Sequence, residues 1–522
     1  MKNQTFYTQF ASHRKSKKTA IFYQGKSLTY SELYSKTETQ AKFLYNEGIN
    51  KRSFVTRISE FFPESVITLL ALLKIGCTIT VLSSHLPPKA YARRRKDKPE
   101  SVLFLQDRLY KKYLPILKEK TSAIVLLSPK KDLPFSKKRE YLKENKESLS
   151  VARKDGFADS VFVFPSHKKR KEVPSFSNEK KEVLIFHSLG DTRHGKTLSF
   201  SNEIRDTTTV SFLQEVSSEA RKGTILPLMP LESAGGTLSG ILTPISLGRS
   251  INLVNKNKVD SAIYWIKKKK ADTLILLPYR YQAILSQRTS SRSKKIKSVI
   301  LTLEKPTFEL NESVFPYSLK QAFWANEAGG FLLGGSIQNS LTPDLGIPLT
   351  PFSVKLLPLK GTSPVQEGEE GRLAFSLPNG FFGYKEDDIN KDTILFEGVP
   401  YFILDDILIY KDGHYIFSRR RKNIARFHGY PIYLDRIENI SLTIPGVISA
   451  KMFFDRSINH TPYLHLFIEN RDRPDETLFK ELRKKFDDNR MTYSVPKRIS
   501  IYPKFPRNYK GEIDTKALCQ FL

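Results

Sequence analysis

Apolar positions in residues 28–85 switch between two periods. After the Thr29-Tyr30-Ser31 start, Leu33, Ala41, Leu44 and Tyr45 fall at helical spacing and predict an amphipathic helix. The segment SFVTRIS, residues 53–59, predicts a strand, and residues 62–74 predict a second amphipathic helix. Thr78, Ile79, Thr80, Val81 and Leu82 are β-branched or aliphatic and predict another strand. Alternation of strand and helix predicts an α/β domain with a largely parallel sheet.

Further along, residues 129–182 are rich in Lys, Ser, Glu and Pro and read as a surface insertion or loosely packed elements. Leu184, Ile185 and Phe186 form a strand entering a polar loop, and residues 221–254 repeat the α/β pattern. Residues 345–420 shift to short strands and turns. The last hundred or so residues read as a small α+β unit. Its strands are ISAKMFF and YLHLFIE, and its helix is DETLFKELRKKF. No internal repeat is visible.

At 522 residues and 39% hydrophobic content, the chain is long and apolar enough for several packed units. The longest apolar run, residues 66–82, is interrupted by Lys74 and Gly76 and reads as a buried helix entering a strand, not a membrane span. The first residues lack the apolar core of a secretion signal. Two distant cysteines, Cys77 and Cys519, form neither a disulfide framework nor a zinc pattern, and point to a reducing, cytoplasmic setting. The net charge of +31 is concentrated partly in clusters at residues 93–96, 168–171, 267–270 and 419–422. Such a surface suits solvated lysine-rich faces, an acidic carrier protein or peripheral contact with an anionic membrane. The clusters lack interleaved aromatics, which argues against base-stacking contacts with nucleic acid.

Residues 401–438 carry the most specific order of parts. Tyr401 and Asp405 end an apolar run, Asp412-Gly413 follows as a turn, and Arg420, Gly429 and Ile437-Glu438 come after. This order resembles the junction between the large and small domains of the AMP-forming acyl- and aryl-CoA synthetases, the adenylate-forming (ANL) superfamily. There the pattern is Y-x-T-G-D, D-G, G-R, G and E-I-E. Other segments extend the resemblance from about residue 29 to residue 518. TYSELY and ALLKIGC resemble the opening of that fold. FWANE, residues 323–327, resembles its Y-G-x-T-E, and PRNYKGEID, residues 506–514, its P-R-T-x-[ST]-G-K-[IV]-D. The resemblance implies a large N-terminal α/β domain of several subdomains, residues 1–420, and a small mobile α+β lid, residues 421–522. Lys422 and Asn423 would be the hinge.

It also implies a chemistry. A carboxylic acid attacks the α-phosphate of ATP held with Mg²⁺, releases pyrophosphate and leaves acyl-AMP. A thioester on CoA or on a carrier protein's phosphopantetheine then follows. Asp405 and Arg420 would hold the ribose, with Tyr401 as aromatic partner. Glu327 would hold Mg²⁺, and Asn326 would lie near the α-phosphate. Ser188, Gly190, Thr192, Gly195 and one of Arg193, His194 or Lys196 would cradle phosphates, since glycines let backbone N–H groups turn toward an anion.

Several positions depart from the pattern. Ile403 and Leu404 replace Thr and Gly, and Trp324 replaces Gly, where its indole would fill space used by adenine or the acyl group. Pro230 stands where a His is common, and Arg436 replaces the first Glu of E-I-E. Glu512 occupies the place of the catalytic lysine, and Lys510, two residues earlier, is a substitute cation. Two readings stay open at this point. One is a divergent ligase. The other is a catalytically impaired relative that binds nucleotide, acyl ligand or carrier protein.

Overall fold

The helix Tyr30–Asn46 starts where Thr29 and Glu32 exchange hydrogen bonds: Glu32 N–H donates to Thr29 Oγ1 (3.2 Å), and Thr29 N–H donates to Glu32 Oε2 (2.8 Å). The helix Pro63–Ile75 has proline in its first turn and stops at Gly76, whose φ of 73° is left-handed. Nearly all of its residues are buried, so this run is an internal helix leading to the strand Thr78–Leu82. The structure is a computed structural model. It describes residues 5–84, 100–117, 123–156, 183–187, 197–215, 223–254, 259–268, 271–276, 296–303, 318–336, 344–376, 381–384, 393–420, 424–427, 430–456, 462–471, 475–488, 495–508 and 512–520, with a few single residues between them.

Two large sheets carry the N-terminal part. One has the spatial order Ile347–Pro348, Gly330–Ser336, Ser318–Ala325, Ser298–Leu303, Thr273–Leu276, Thr224–Leu228, Ser250–Leu253, Thr19–Tyr23, Lys26–Thr29. Its strands run parallel from Ser318–Ala325 to Thr19–Tyr23, with antiparallel strands at both edges. The other has the order Phe381–Tyr384, Thr197–Phe200, Leu184–His187, Thr78–Leu82, Phe54–Ile58, Val102–Gln106, Ala123–Leu127. The last five of these are parallel. One hydrophobic core joins the two sheets and includes Val81, Phe104, Phe186, Met229, Leu238 and Phe331. The predicted α/β domain is therefore present as two largely parallel sheets sharing a core.

Residues 344–420 build a third, antiparallel sheet from Val354–Leu357, Glu370–Ser376, Val399–Lys411, Thr393–Phe396 and His414–Arg420. Beyond it, Val447–Arg456, Pro462–Asn470 and Arg498–Tyr502 form a small sheet under the helices Leu434–Leu442 and Asp475–Asp488. Ile437, Leu466, Leu478 and Leu482 give this α+β unit its own core. Within the lysine-rich segment, the helix Phe135–Glu144 has no buried residue, whereas Lys146–Lys154 buries Leu149 and Ala152. No described helix is long and apolar enough to cross a membrane.

Candidate functional site

Parallel strands place ligands at their carboxyl ends, and both large sheets have candidate residues there. The strand Leu184–His187 runs into residues 188–196, and Thr197–Phe200 returns antiparallel with His187 opposite Thr197. The ends of the expected phosphate loop are thus pinned as a strand pair. Ser188, Gly190, Thr192, Arg193, His194, Gly195 and Lys196 themselves lie outside the described residues.

In the other sheet, Ser318–Ala325 ends in a tight turn, Asn326 to Gly329, and returns as Gly330–Ser336. Gly329 N–H closes the turn on the Asn326 carbonyl at 3.0 Å. Asn326 and Glu327 are half-buried at this strand end, and Glu327 is itself engaged in a polar contact. A carboxylate with an amide oxygen beside it is a hard donor set that fits Mg²⁺, an ion usually bound by one or two carboxylates plus phosphate oxygens. Among the described residues no group of three His, Cys, Asp or Glu makes a preformed cage.

The Trp324 indole packs across this hairpin onto a neighbouring helical run. It meets Phe331 edge-on at 5.6 Å, and its Nε1–H donates to Asn326 Oδ1 at 3.4 Å. A β-carbon added at Gly235 would lie 1.7 Å from the indole Cζ2, so the ring occupies the space a side chain would take there. Gly235 belongs to the turn Ala234–Thr237, which continues through the wider-wound Leu238–Leu242 into Thr243–Ser246. Ser233 caps its start by accepting from Gly236 N–H at 3.1 Å. Gly330 is equally constrained, because an added β-carbon would lie 2.2 Å from Ser239 Oγ. The sequence reading flagged Trp324 but not Gly235; the doubled glycine in GGTLSG was the available signal.

The third sheet positions Asp405 and Arg420. Along Val399–Lys411 the pairing with Glu370–Ser376 jumps from Ile403↔Ala374 to Ile407↔Arg372, so residues 404–406 bulge opposite Leu373. Asp405 sits in that bulge, an irregularity common beside active sites. Asp406 pairs with Arg420 on the next strand, which brings the Asp405 and Arg420 positions together. Asp412 and Gly413, with φ of 50° and 83°, make the hairpin turn between the two strands. Tyr401 is nearly buried on a face with Leu357, Ala374 and Ile403. Its hydroxyl donates to Ser353 Oγ at 2.9 Å, and its ring meets Phe396 at 5.3 Å.

A file of aromatic rings ties these places together. Phe186, on the strand before residues 188–196, contacts Phe200 (6.1 Å), Phe200 contacts Phe381 (5.3 Å), and Phe381 contacts Phe402 (5.8 Å). Phe402 lies on the strand that carries Asp405.

In the C-terminal unit, Arg507 Nη2 donates to the buried Glu469 carboxylate at 2.6 Å and to Ser449 Oγ at 3.0 Å. That ion pair fixes the start of the turn that carries residue 512. Arg507 bridges Ile513, Asn508 N–H donates to the Glu512 carbonyl at 2.8 Å, and Asn508 Nδ2 donates to Glu512 Oε2 at 2.8 Å. The Glu512 carboxylate is thereby held on its own turn. Asp514 then caps the helix Thr515–Cys519. Lys510, Lys422 and Asn423 lie outside the described residues.

One buried cation escaped the sequence reading because it sits inside an ordinary strand pattern. Arg57, on Phe54–Ile58, is fully buried. Its Nη2 donates to the Glu60 carbonyl at 2.8 Å, and Phe61 covers the guanidinium at 4.0 Å. Burial pulls its pKa down to about 10, while the negative charge of Glu232 opposes that fall.

Comparison with known proteins agrees with this layout. The chain is 22% identical to the oxalate–CoA ligase of Arabidopsis thaliana over 384 residues, covering 71% of each protein. It is 22% identical to the acetyl-coenzyme A synthetase of Bartonella quintana over 95% of this chain and 79% of that one. Among solved structures, ATP-bound MatB from Rhodopseudomonas palustris superposes with a TM-score of 0.79 at 15% identity, covering 100% of this chain and 99% of that one. With strand ends, bulge and hairpin turn placed as described, and with the family model for AMP-binding enzymes matching residues 8–385, the chain belongs to the AMP-binding enzyme family.

Proposed function

We propose that this chain activates a short carboxylic acid as its acyl adenylate. One oxygen of the acid attacks the α-phosphorus of ATP, the bond to the β-phosphate oxygen breaks, and pyrophosphate leaves. A thiol, of CoA or of a carrier protein's phosphopantetheine, then takes the acyl group and AMP is released. The observation that carries this reading is that the strands bearing the Asn326-Glu327 turn and the Asp405 bulge pack into one core, through Phe323 and Phe331 on one and Phe402 and Leu408 on the other.

Each residue has a physical task. The Asp405 carboxylate would accept from the ribose hydroxyls, and Arg420, on the neighbouring strand, would share that task. Tyr401 braces that strand through Ser353. The backbone of residues 188–196, with Ser188, Thr192, Arg193 and Lys196, surrounds the phosphates, and Gly190 and Gly195 give it freedom to turn. Glu327 would hold Mg²⁺, with Asn326 facing the α-phosphate; when bound, the ion offsets charge developing on the phosphate oxygens. Trp324, seated over Gly235, closes the space beside the reacting carboxylate and selects acids with short chains. Lys510 serves as the cation near the reacting oxygens, because the Glu512 carboxylate is tied to Asn508. Residues 421–522 act as the lid, hinged at Lys422 and Asn423. Two cysteines far apart in sequence, Cys77 and Cys519, fit a cytoplasmic setting, and the +31 charge suits CoA phosphates or an acidic carrier protein.

Acid-dependent exchange of labelled pyrophosphate into ATP, run over a panel of acids, tests this reading. Exchange with a short acid is expected. ATP binding without exchange for any acid would instead place the chain among nucleotide-binding proteins that lack this chemistry.

A further inference from the structure

The helix Phe135–Glu144 carries the most exposed large hydrophobic side chain among the described residues, Phe135, at 84%. Leu133, just before the helix, is buried, and the Tyr141 hydroxyl donates to Asp107. The Tyr141 side of the helix therefore faces the body of the chain. At about 3.6 residues per turn, Phe135, Arg139, Leu142 and Lys143 turn away from that side. Phe135, Arg139 and Lys143 are exposed, and Leu142 is half-buried. The outward stripe is thus apolar and cationic. Glu140, at its border, is paired with Lys137 at 2.7 Å.

The surroundings add charge of the same sign. Residues 130–154 hold nine Lys and Arg against four Asp and Glu. Lys26 and Lys131 are exposed, and Lys26 Nζ donates to the Lys131 carbonyl at 3.0 Å, which brings the turn at Gln24 and Gly25 to this edge. That turn touches the Trp265 ring, since a β-carbon added at Gly25 would lie 3.6 Å from its Cη2. Tyr264, beside Trp265, is half-exposed, with Lys268 Nζ 5.8 Å from its ring centre. Exposed aromatic and aliphatic side chains set among lysines and arginines suit the interface of an anionic bilayer. The apolar groups enter the headgroup layer, and the cations meet lipid phosphates and carboxylates. Nucleic acid is the other polyanion, but binding it by stacking needs successive rings, and the outward stripe of this helix has one.

We infer that Phe135–Glu144 is a membrane-contact helix that lies on an anionic bilayer, with Phe135 and Leu142 in the headgroup layer and Arg139 and Lys143 on lipid phosphates. The contact is peripheral, because ten residues are half of what a span of about 20 requires. It involves neither nucleotide nor acid, so it is independent of the activating chemistry.

Co-sedimentation of the full chain with lipid vesicles tests it. Vesicles of phosphatidylcholine with about one-third phosphatidylserine should carry the chain down at about 0.1 M salt, and phosphatidylcholine alone should not. Phe135→Ser should weaken binding about tenfold, and Arg139→Gln combined with Lys143→Gln about thirtyfold. All three side chains are outward-facing, so the melting temperature of each variant should match that of the native chain. Phe135→Trp reads insertion directly. Its emission should shift to the blue on anionic vesicles, beyond any change from the native Trp265 and Trp324. No sedimentation with anionic vesicles, unweakened binding by Phe135→Ser, or unshifted emission in Phe135→Trp overturns the inference. So does binding of polyuridylate that these substitutions weaken while vesicle binding stays unchanged, a result that assigns the stripe to nucleic acid.

Discussion

Replacing Trp324 by glycine should lengthen the acids this chain accepts. The indole fills the volume above Gly235 and leans on Phe331, so its removal opens a slot between the hairpin and the helical run. An extended alkyl chain entering that slot gains roughly four methylenes of burial at about 0.8 kcal/mol each. The sum, about 3 kcal/mol, is a shift of roughly two hundredfold in the ratio of kcat/KM for octanoate over butanoate. The same removal should destabilise the fold by about 2–3 kcal/mol, below the usual cost of a fully buried Trp because the ring is half-buried. Pyrophosphate exchange across a chain-length series gives the ratio, and urea denaturation gives the cost. The contact has a second handle. Gly235→Ala puts a β-carbon into the indole and should cost about 1–3 kcal/mol by overpacking, a cost that disappears once Trp324 is glycine. Strictly additive effects of the two substitutions, or an unchanged chain-length profile in Trp324→Gly, would refute the seating of the indole in the acyl chamber.

Other consequences are open to direct measurement. Asp405→Asn, which weakens acceptance from the ribose hydroxyls, should raise the KM for ATP about ten- to hundredfold while leaving the acid preference in place. Lys510→Ala should lower exchange at least a hundredfold if Lys510 is the cation at the reacting oxygens, and an unchanged rate would remove it from that role. Glu64 is half-buried, and desolvation pushes its pKa up to about 7 from an ordinary 4.5. The folded chain then binds the extra proton between those values, so stability falls as pH rises through that window, by up to roughly 3 kcal/mol, and levels off above it. Glu64→Gln keeps an acceptor for the Ser128 N–H and should flatten the profile, giving a higher Tm than the native chain at pH 8 and an equal one near pH 4.

Local order was legible because it depends on neighbours in sequence. The Thr29–Glu32 cap, the stop at Gly76 and the Asp412-Gly413 hairpin turn all sit where the residue pattern puts them. So do the strand Leu184–His187 and the strands and helix of the C-terminal unit, whereas the returning strand Thr197–Phe200 lies in a segment that reads as loop. Asp405 and Arg420 were legible as a pair through their resemblance to the family pattern, but the bulge that offsets Asp405 arises from its pairing with Glu370–Ser376, far away in sequence. The seating of Trp324 on Gly235 and the aromatic file from Phe186 to Phe402 have the same origin. Arg57 was hidden for a different reason. In a strand of alternating character a lone arginine reads as solvent-facing, and only the second sheet turns that face into an interior.

The acid at residue 512 follows a similar logic, since its effect depends on where its carboxylate is held. Asn508 receives the Glu512 backbone N–H on Oδ1 at 3.1 Å and donates Nδ2 to the carboxylate, so the side chain is clamped at both ends of one short turn. Repulsion between a carboxylate and the reacting oxygens falls from about 4 kcal/mol at 4 Å to about 2 kcal/mol at 8 Å, for an effective dielectric of 20. A clamp that keeps the group back by that difference preserves a factor of roughly thirty in rate. Asn508→Ala should therefore slow pyrophosphate exchange, because the freed carboxylate reaches toward the like charge. Glu512→Gln, which keeps the acceptor and removes the charge, should speed it and make the Asn508 substitution nearly silent. A faster rate in Asn508→Ala would mean that the clamp holds the acid toward the reacting oxygens, and the assignment of Lys510 as the working cation would fall with it.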